Sequence, residues 1–470
     1  MEYSRPQTVA VVGSGMAGLA TAHLLHQDPQ HRYRVTVLEK RDRISLSAES
    51  IVIPGQNENS APTWADVPMR AFAGGFYRNL IRMYDHLGVQ YHAQPFLFSF
   101  TRLPRLHLSS TAGSCIPSPQ MIYASNFHQI PPVPRTVDVI HWLVEAVYAV
   151  VCYCWFTLCC FFIAPIAEDL RTGTPGESLD HYLRRIWLPQ SYVTNYLLPL
   201  ISSVCTCSHQ ELLRFPASDV IDYKCRTHRQ QHFVVTAGVQ RVQQELVKGL
   251  DVRLGVNLTH VVPKPGGVRI QYITADDQPA WEDFDRVVLA IPPDVAATLF
   301  APVSAYLSAI PTTTVDTVAH TDESSIAPVL HATATSSSLK STRARRNVIG
   351  NAAQRIHFFS NDSITEAVHE QPNAMLVSTN PLTPLDESRI IRSARFVRVL
   401  RNPYSRLLIN SIFADRDQNP ALDSWRNGDN GVHLAGGWCW DGMVLLEGCI
   451  VSAMRVATDL GVDVPWSTPP

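Results

Sequence analysis

Gly13, Gly15 and Gly18 stand at the spacing G-x-G-x-x-G, and an acid, Glu39, follows about 20 residues later. Before the glycines, Thr8-Val9-Ala10-Val11-Val12 is an unbroken apolar run of strand character; after them, Leu19 to Leu25 is small, apolar and helical in character. A strand, glycine turn and helix in this order can hold a pyrophosphate. Gly13 permits the tight turn, Gly15 lets backbone N–H groups approach the phosphates, and Gly18 lets the helix pack closely on the strand. Ser14 and Ala17 belong to the same turn. The phosphate then sits at the helix N-terminus, where unpaired N–H groups and the helix dipole favour an anion. A second strand, Arg34 to Leu38, runs into Glu39-Lys40-Arg41, where the Glu39 carboxylate can accept hydrogen bonds from ribose hydroxyls. The expected chemistry is dinucleotide binding, of a kind the motif alone does not specify.

A second glycine segment lies near the other end of the chain. Gly431 to Gly437 reads as a short buried strand running into Gly436-Gly437, and Glu447-Gly448 opens an amphipathic helix that runs to Ala457, with small residues at its start. Between the two glycine segments, Val252 to Val262, which contains Leu258, and Phe284-Asp285-Arg286-Val287-Val288-Leu289-Ala290-Ile291-Pro292-Pro293 read as further strands.

The elements that position these residues belong to a chain of 470 residues, long enough for two or three domain-sized units or for one enzyme with interleaved domains. Lys and Arg total 39 against 41 Asp and Glu, so no broad field draws in nucleic acid. Charged residues make up only 17% of the chain, against about 25% in ordinary soluble domains. Large buried or lipid-facing area must account for the deficit. The 10 cysteines are scattered without a framework spacing, which favours a reducing compartment, and no signal-peptide pattern precedes the first strand. A cytoplasmic location is expected.

The stretch Leu38-Glu39-Lys40-Arg41-Asp42-Arg43 resembles the region after the second strand in flavin-containing amine oxidases, phytoene desaturases and their relatives. In place of the Gly-Gly expected after Arg43 the chain has Ile44-Ser45-Leu46-Ser47. Across most of its length the chain is similar to a subgroup of FAD/NAD(P)-binding proteins described alongside cyclopropane fatty acid synthase. That likeness runs through Ala73 to Leu80 with Leu87-Gly88-Val89, through Phe215-Pro216-Ala217, and from His320-Thr321-Asp322 to Asn380-Pro381. The resemblance implies FAD as cofactor and an α/β fold. A Rossmann-like FAD-binding domain of the glutathione-reductase kind would carry an inserted, amine-oxidase-like α+β substrate domain. It assigns residues 1–75, 236–300 and 415–470 to the FAD domain, and 76–235 and 301–414 to the substrate domain. It also implies that Glu39 takes the adenosine ribose with Lys40 and Arg41 nearby, and that the backbone at Leu258 meets the adenine. Gly436, Gly437 and Leu446 would bring backbone amides to the pyrophosphate and flavin.

In such enzymes the flavin N5 accepts a hydride from a substrate C–H bond. Amine oxidation in the family uses a Tyr two residues before the Glu-Gly pair; here that place is Leu445, with Trp438 and Trp440 nearby. Desaturation or dehydrogenation of a lipophilic metabolite therefore ranks first, double-bond isomerisation second and amine oxidation third. A flavin-retaining, membrane-associated scaffold is the non-enzyme reading. Trp438 and Trp440, which follow the closing glycines, are the candidates to face the isoalloxazine or the substrate.

The missing charge has a location. From Ala146 to Ala167 there are 22 residues without a charge, long enough to cross a membrane. A single crossing would separate the two halves of one cofactor site. The segment is therefore expected to be helical, to lie on the substrate domain, and to meet a bilayer surface or line an apolar cavity, with Pro165 and the acids Glu168 and Asp169 ending it. Cys205-Thr206-Cys207-Ser208-His209 has no second pair at zinc-ribbon spacing, so no metal is expected. His228 and His232 read as part of a solvated turn before strand Phe233-Val234-Val235, and Ser336 to Arg346 as a polar, basic loop.

Overall fold

Five short segments, far apart in sequence, line up in one parallel sheet. The computed structural model describes residues 5–46, 48–53, 63–103, 119–124, 139–274, 277–327, 329, 353–371, 374–414 and 425–467. β1 (Gln7–Val12) is central, between β2 (Tyr33–Leu38) on one side and strand Arg286–Leu289 on the other; Asp251–Arg253 and Val432–Leu434 form the edges. Such a sheet is covered on both faces, so its strands are apolar runs rather than alternating ones. Val9, Val11, Val37, Val287, Val288 and Leu289 are fully enclosed, each contributing about 1.5–3 kcal/mol.

α1 (Met16–His26) follows β1 and is buried from Met16 to Leu25, because the sheet covers one side and the C-terminal helix Leu446–Asp459 the other. α2 (Arg78–His86) packs its buried Leu80, Met83 and Tyr84 against the same C-terminal helix. The three-stranded antiparallel unit Asn257–Lys264, Gly267–Ile273, Pro279–Phe284 leads back into the parallel sheet.

A second, seven-stranded sheet is assembled from both sides of the apolar segment. Strand Phe96–Arg102 precedes that segment and pairs in parallel with Gln354–Ser360, which follows it. Its strands lie between Phe96 and Ala124 and between Thr312 and Val399, and a third, three-stranded sheet pairs Ala71–Ala73 with His232–Val235. One hairpin packs its Ala65 and Val67 on Ala319 and Val377 of the seven-stranded sheet.

The apolar segment is a helix, α3 (Val139–Phe162), starting before Ala146 and including Glu145. It ends before Pro165. The expected continuation to Ala167 is instead non-helical, because its backbone groups bond elsewhere: Tyr182 OH donates to Ile163 O at 3.0 Å and Ile166 N to Glu177 Oε2 at 3.1 Å. α3 rests on helix Ala217–Thr227, with Cys225 Sγ donating to Cys160 O at 3.4 Å and Lys224 Nζ to Tyr153 OH at 3.0 Å. Its inner residues Ala149, Cys152, Phe156, Cys159 and Cys160 are buried. The outer face is apolar and open: Val150 is 51% exposed, Phe161 50% and Phe162 82%. His228 caps helix Ala217–Thr227 and His232 begins the next strand, with a turn between them. The Ser336–Arg346 stretch lies outside the described residues.

Candidate functional site

The three glycines of the N-terminal turn differ in what confines them. Gly13 has φ +101°, and a Cβ there would meet Ala290 O at 2.5 Å; a Cβ on Gly18 would lie 2.0 Å from Gly13 O. Both must be glycine for the protein's own sake. Gly15 has an ordinary φ of −66°, and a Cβ on it would meet nothing within 4 Å. The space in front of it is open, as a cradle for a pyrophosphate requires. No side chain caps α1 at its Gly15 end.

Glu39 is fixed onto the turn. Its Oε2 accepts from Ser14 N at 2.8 Å and Ser14 Oγ at 2.6 Å, and its Oε1 from Arg41 N at 2.9 Å. The Ser45 amide reaches Ser14 Oγ at 3.3 Å, so Ser45 closes the turn where Gly-Gly was expected. Lys40 and Arg41 are exposed beside it. The segment carrying Leu258 runs along the same edge: Gly255 N donates to Arg41 O and Val256 N to Glu39 O, both at 2.9 Å. Leu258, half-buried at a bulge, thus lies next to the ribose end.

Gly436 and Gly437 follow strand Val432–Leu434. Gly436 N donates to Ser452 Oγ at 2.9 Å, which ties it to the C-terminal helix. That helix starts at Leu446, half-buried, and it too lacks a side-chain cap. The Cys449 thiol lies 3.4 Å from the Cβ position of Gly437; burial pushes its pKa up to about 11, and the backbone N–H groups of Gly437 and Ala17 pull it back. Two uncapped helix N-termini, those of α1 and of the C-terminal helix, therefore stand side by side. Together with Glu39 and the open space at Gly15, they fit the pyrophosphate and ribose of a dinucleotide.

Other groups hold the C-terminal half, and sequence reasoning missed them. Arg401, buried, donates from Nη2 to Trp438 O and Trp440 O and from Nη1 to Gly442 O, each at 2.7 Å. Its counter-charge is Asp219 at 3.3 Å, which also accepts from Arg406 Nε at 2.8 Å; Arg406 further bonds Glu168 and Asp441. Burial pushes the Arg401 guanidinium below its ordinary pKa, and Asp219 pulls it back. Glu447 spans the other direction: it accepts from Asn79 N (2.9 Å), Asn79 Nδ2 (2.8 Å) and Leu80 N (3.0 Å), capping α2, while burial raises its pKa. Asp219 lies 182 residues from Arg401 and Glu447 368 from Asn79, and no local pattern announces them.

Trp438 and Trp440 are both buried. Trp438 packs beside Gly436 under the sheet, its Nε1 donating to Ile291 O at 3.3 Å. Trp440 lies against Gly442 and Gly448, donates to Met443 O at 2.9 Å, and meets Phe76 edge-on at 5.7 Å. Of the two, Trp440 is on the side of the second sheet.

Comparison with known proteins agrees with this geometry. Residues 11–87 match the NAD(P)-binding Rossmann-like domain. Residues 220–461, just over half of the chain, match the flavin containing amine oxidoreductase family. No curated protein matches the sequence. Among solved structures, the chain is similar to a putative protoporphyrinogen oxidase from Exiguobacterium sp. 255-15, with 13% identity, TM-score 0.57, and coverage of 97% of this chain and 99% of that one. It is also similar to a fatty acid isomerase from P. acnes that produces CLA (12%, TM-score 0.58, coverage 97% and 99%). A third is cyclohexylamine oxidase from Brevibacterium oxydans IH-35A (11%, TM-score 0.56, coverage 97% and 100%). At these identities the likeness speaks for the fold. Fold, paired glycine segments and family match converge: the chain belongs to the flavin containing amine oxidoreductase family and is an FAD-dependent oxidoreductase.

Proposed function

We propose that this enzyme removes hydrogen from a C–H bond of a lipophilic small molecule, as a dehydrogenase or desaturase. One observation carries the reading, a path of packed apolar side chains that leads from the surface to the loop closing the cofactor site. It begins at the open face of α3 and passes through the buried Phe156 and Cys160 to helix Ala217–Thr227. Tyr223 of that helix meets Phe76 edge-on at 4.8 Å, and Phe76 meets Trp440. Trp440 belongs to the loop that closes the cofactor site. A wall of this kind suits a hydrocarbon or polycyclic body, which loses no hydrogen bonds to water on entering it.

Bound FAD supplies the hydride acceptor. The chain's own contribution is to bind and to exclude water. Gly13 to Gly18 and the N-terminus of the C-terminal helix would hold the pyrophosphate, Glu39 the ribose, and the segment at Leu258 the adenine. Trp440 is proposed as the flat wall against which the substrate rests.

The exposed face of α3 is further proposed to lie on a bilayer surface, from the cytosolic side. At roughly 25 cal/mol per Å² an uncovered helix face of this length is costly in water. Sidedness argues against crossing, because strand Phe96–Arg102 before α3 and strand Gln354–Ser360 after it pair directly.

Anaerobic incubation of purified protein with lipophilic candidates tests the reading. Bleaching of the flavin by an uncharged or weakly polar lipophile is expected. Product without lasting bleaching would replace the reading with isomerisation, bleaching by amines alone would replace it with amine oxidation, and no response to any candidate would favour a scaffold.

A further inference from the structure

Trp187 is 87% exposed, more than any other large apolar side chain among the described residues, and its backbone is left-handed with φ 58°. It follows helix Leu179–Arg185 and its cap Ile186, at the place where glycine is usual because the chain must turn through the left-handed region. Trp187 N donates to Arg184 O at 3.0 Å and Leu188 N to Leu183 O at 3.1 Å, the two bonds that close such a helix end. A bulky side chain is disfavoured in this conformation, and an indole left in water contributes no burial energy. Folding alone does not explain a tryptophan here.

Its neighbours put it on the rim of the open face of α3. The Trp155 indole, 46% exposed, donates from Nε1 to Ile186 O at 2.8 Å, and Tyr148 bonds Ser191 on the same edge of the helix. At about 100° per residue, Tyr153 falls on the opposite edge. There Lys224 Nζ donates to Tyr153 OH at 3.0 Å, and His228 meets Phe161 edge-on at 5.5 Å. Arg229 comes next, exposed and left-handed with φ 58°. Between the two edges Val144, Val147, Val151 and Leu158 are exposed.

The acids on these flanks are already matched: Asp180 by Arg184 at 2.9 Å, Glu177 by Arg185 at 2.7 Å and Asp222 by Arg226 at 2.7 Å. Past the helix end, Asp169 accepts from Arg171 N at 2.9 Å. Lys224 and Arg229 pair with no acid among the described residues. The face therefore has an apolar centre, an indole rim and surplus positive charge. An indole favours the headgroup level of a bilayer, where its ring is apolar and its N–H stays hydrated, and surplus cations favour anionic lipid. A twofold contact of this face with its own copy would instead bring like charges together.

We propose that this face docks on an anionic phospholipid surface, with Trp187 inserted at the headgroup level and Lys224 and Arg229 meeting the lipid phosphates. The inference rests on the reading that α3 lies on a bilayer; it adds the lipid class selected and an anchor outside the helix.

The experiment is flotation of the FAD-loaded enzyme with vesicles of phosphatidylcholine alone or mixed with phosphatidylglycerol. Binding to the mixed vesicles is expected to be at least about tenfold tighter. Trp187→Gly should melt no lower than the unaltered protein, since glycine suits the turn, yet bind both kinds of vesicle about tenfold more weakly. Lys224→Gln with Arg229→Gln should lose about fivefold per charge on the mixed vesicles and nothing on phosphatidylcholine alone. Equal binding to the two compositions, or a Trp187→Gly protein that binds like the unaltered one, overturns the proposal and leaves α3 on a bilayer. Binding to neither composition removes that reading as well. Concentration-dependent dimers in sedimentation velocity, abolished by Trp187→Gly, would give the face to a second copy and overturn the proposal too.

Discussion

The two glycine segments do the same work by different means. At the N-terminal turn, the confining atoms are close in sequence or on the adjacent strand: Gly18 against Gly13 O, Gly13 against Ala290 O, Glu39 on Ser14. At the C-terminal loop, the backbone carbonyls of Trp438, Trp440 and Gly442 are gathered by one buried Arg401, balanced by Asp219 from the other half of the molecule. A local motif can be read from a window of residues. A loop held by a distant ion pair cannot.

Gly18→Val should break the comparison most severely, since its Cβ would overlap a backbone oxygen that cannot swing away; a loss of about 3 kcal/mol or more is expected, seen as insoluble or unfolded protein in circular dichroism. Arg401→Met attacks the other half. It leaves Asp219 and three carbonyls short of a donor in the interior, and thermal melting should report about 3–5 kcal/mol of lost stability together with weaker flavin retention. An unchanged melting curve would mean that the loop does not depend on Arg401.

The strand Val432–Leu434, where the halves join, carries a pH probe. Burial, assisted by Arg286, lowers the His433 pKa from 6.5 to about 4. The folded protein then binds fewer protons than the unfolded chain, so stability is present above pH 6.5 and is lost as the pH falls towards 4, by up to about 3 kcal/mol. His433→Gln should flatten this part of the melting-temperature profile; parallel profiles would refute the assignment. The smallest effect belongs to Trp440→Phe, which gives up one hydrogen bond, about 1 kcal/mol of stability. Its turnover should nevertheless drop more than that of Trp438→Phe, because only Trp440 adjoins the apolar path. Equal kinetics in both would remove Trp440 from the substrate wall.

What was legible in the sequence follows the same division. The strand, glycines and acid from Thr8 to Glu39 have the backbone geometry their residue types implied, because close approach and positive φ select glycine at Gly13 and Gly18 whatever lies elsewhere. The length of α3 was misjudged at both ends: lack of charge marked where it is apolar, not where its hydrogen bonds stop, and Glu145 is accommodated within the helix by Tyr196 OH. The roles of Arg401, Asp219 and Glu447 were invisible, since each acquires its role from partners that only the fold brings near.

Gly15→Val tests the central claim most directly, because Gly15 is the one glycine of the turn that the protein itself leaves unconfined. Its φ of −66° accommodates valine and nothing lies within 4 Å of the new Cβ, so the variant should fold and melt like the unaltered protein stripped of its flavin. Flavin released by heat and quantified against protein is expected to give about one FAD per chain for the unaltered enzyme and almost none for the variant, as a side chain there blocks approach to the pyrophosphate. A folded Gly15→Val protein that stays yellow at full occupancy would contradict the account and move the cofactor elsewhere.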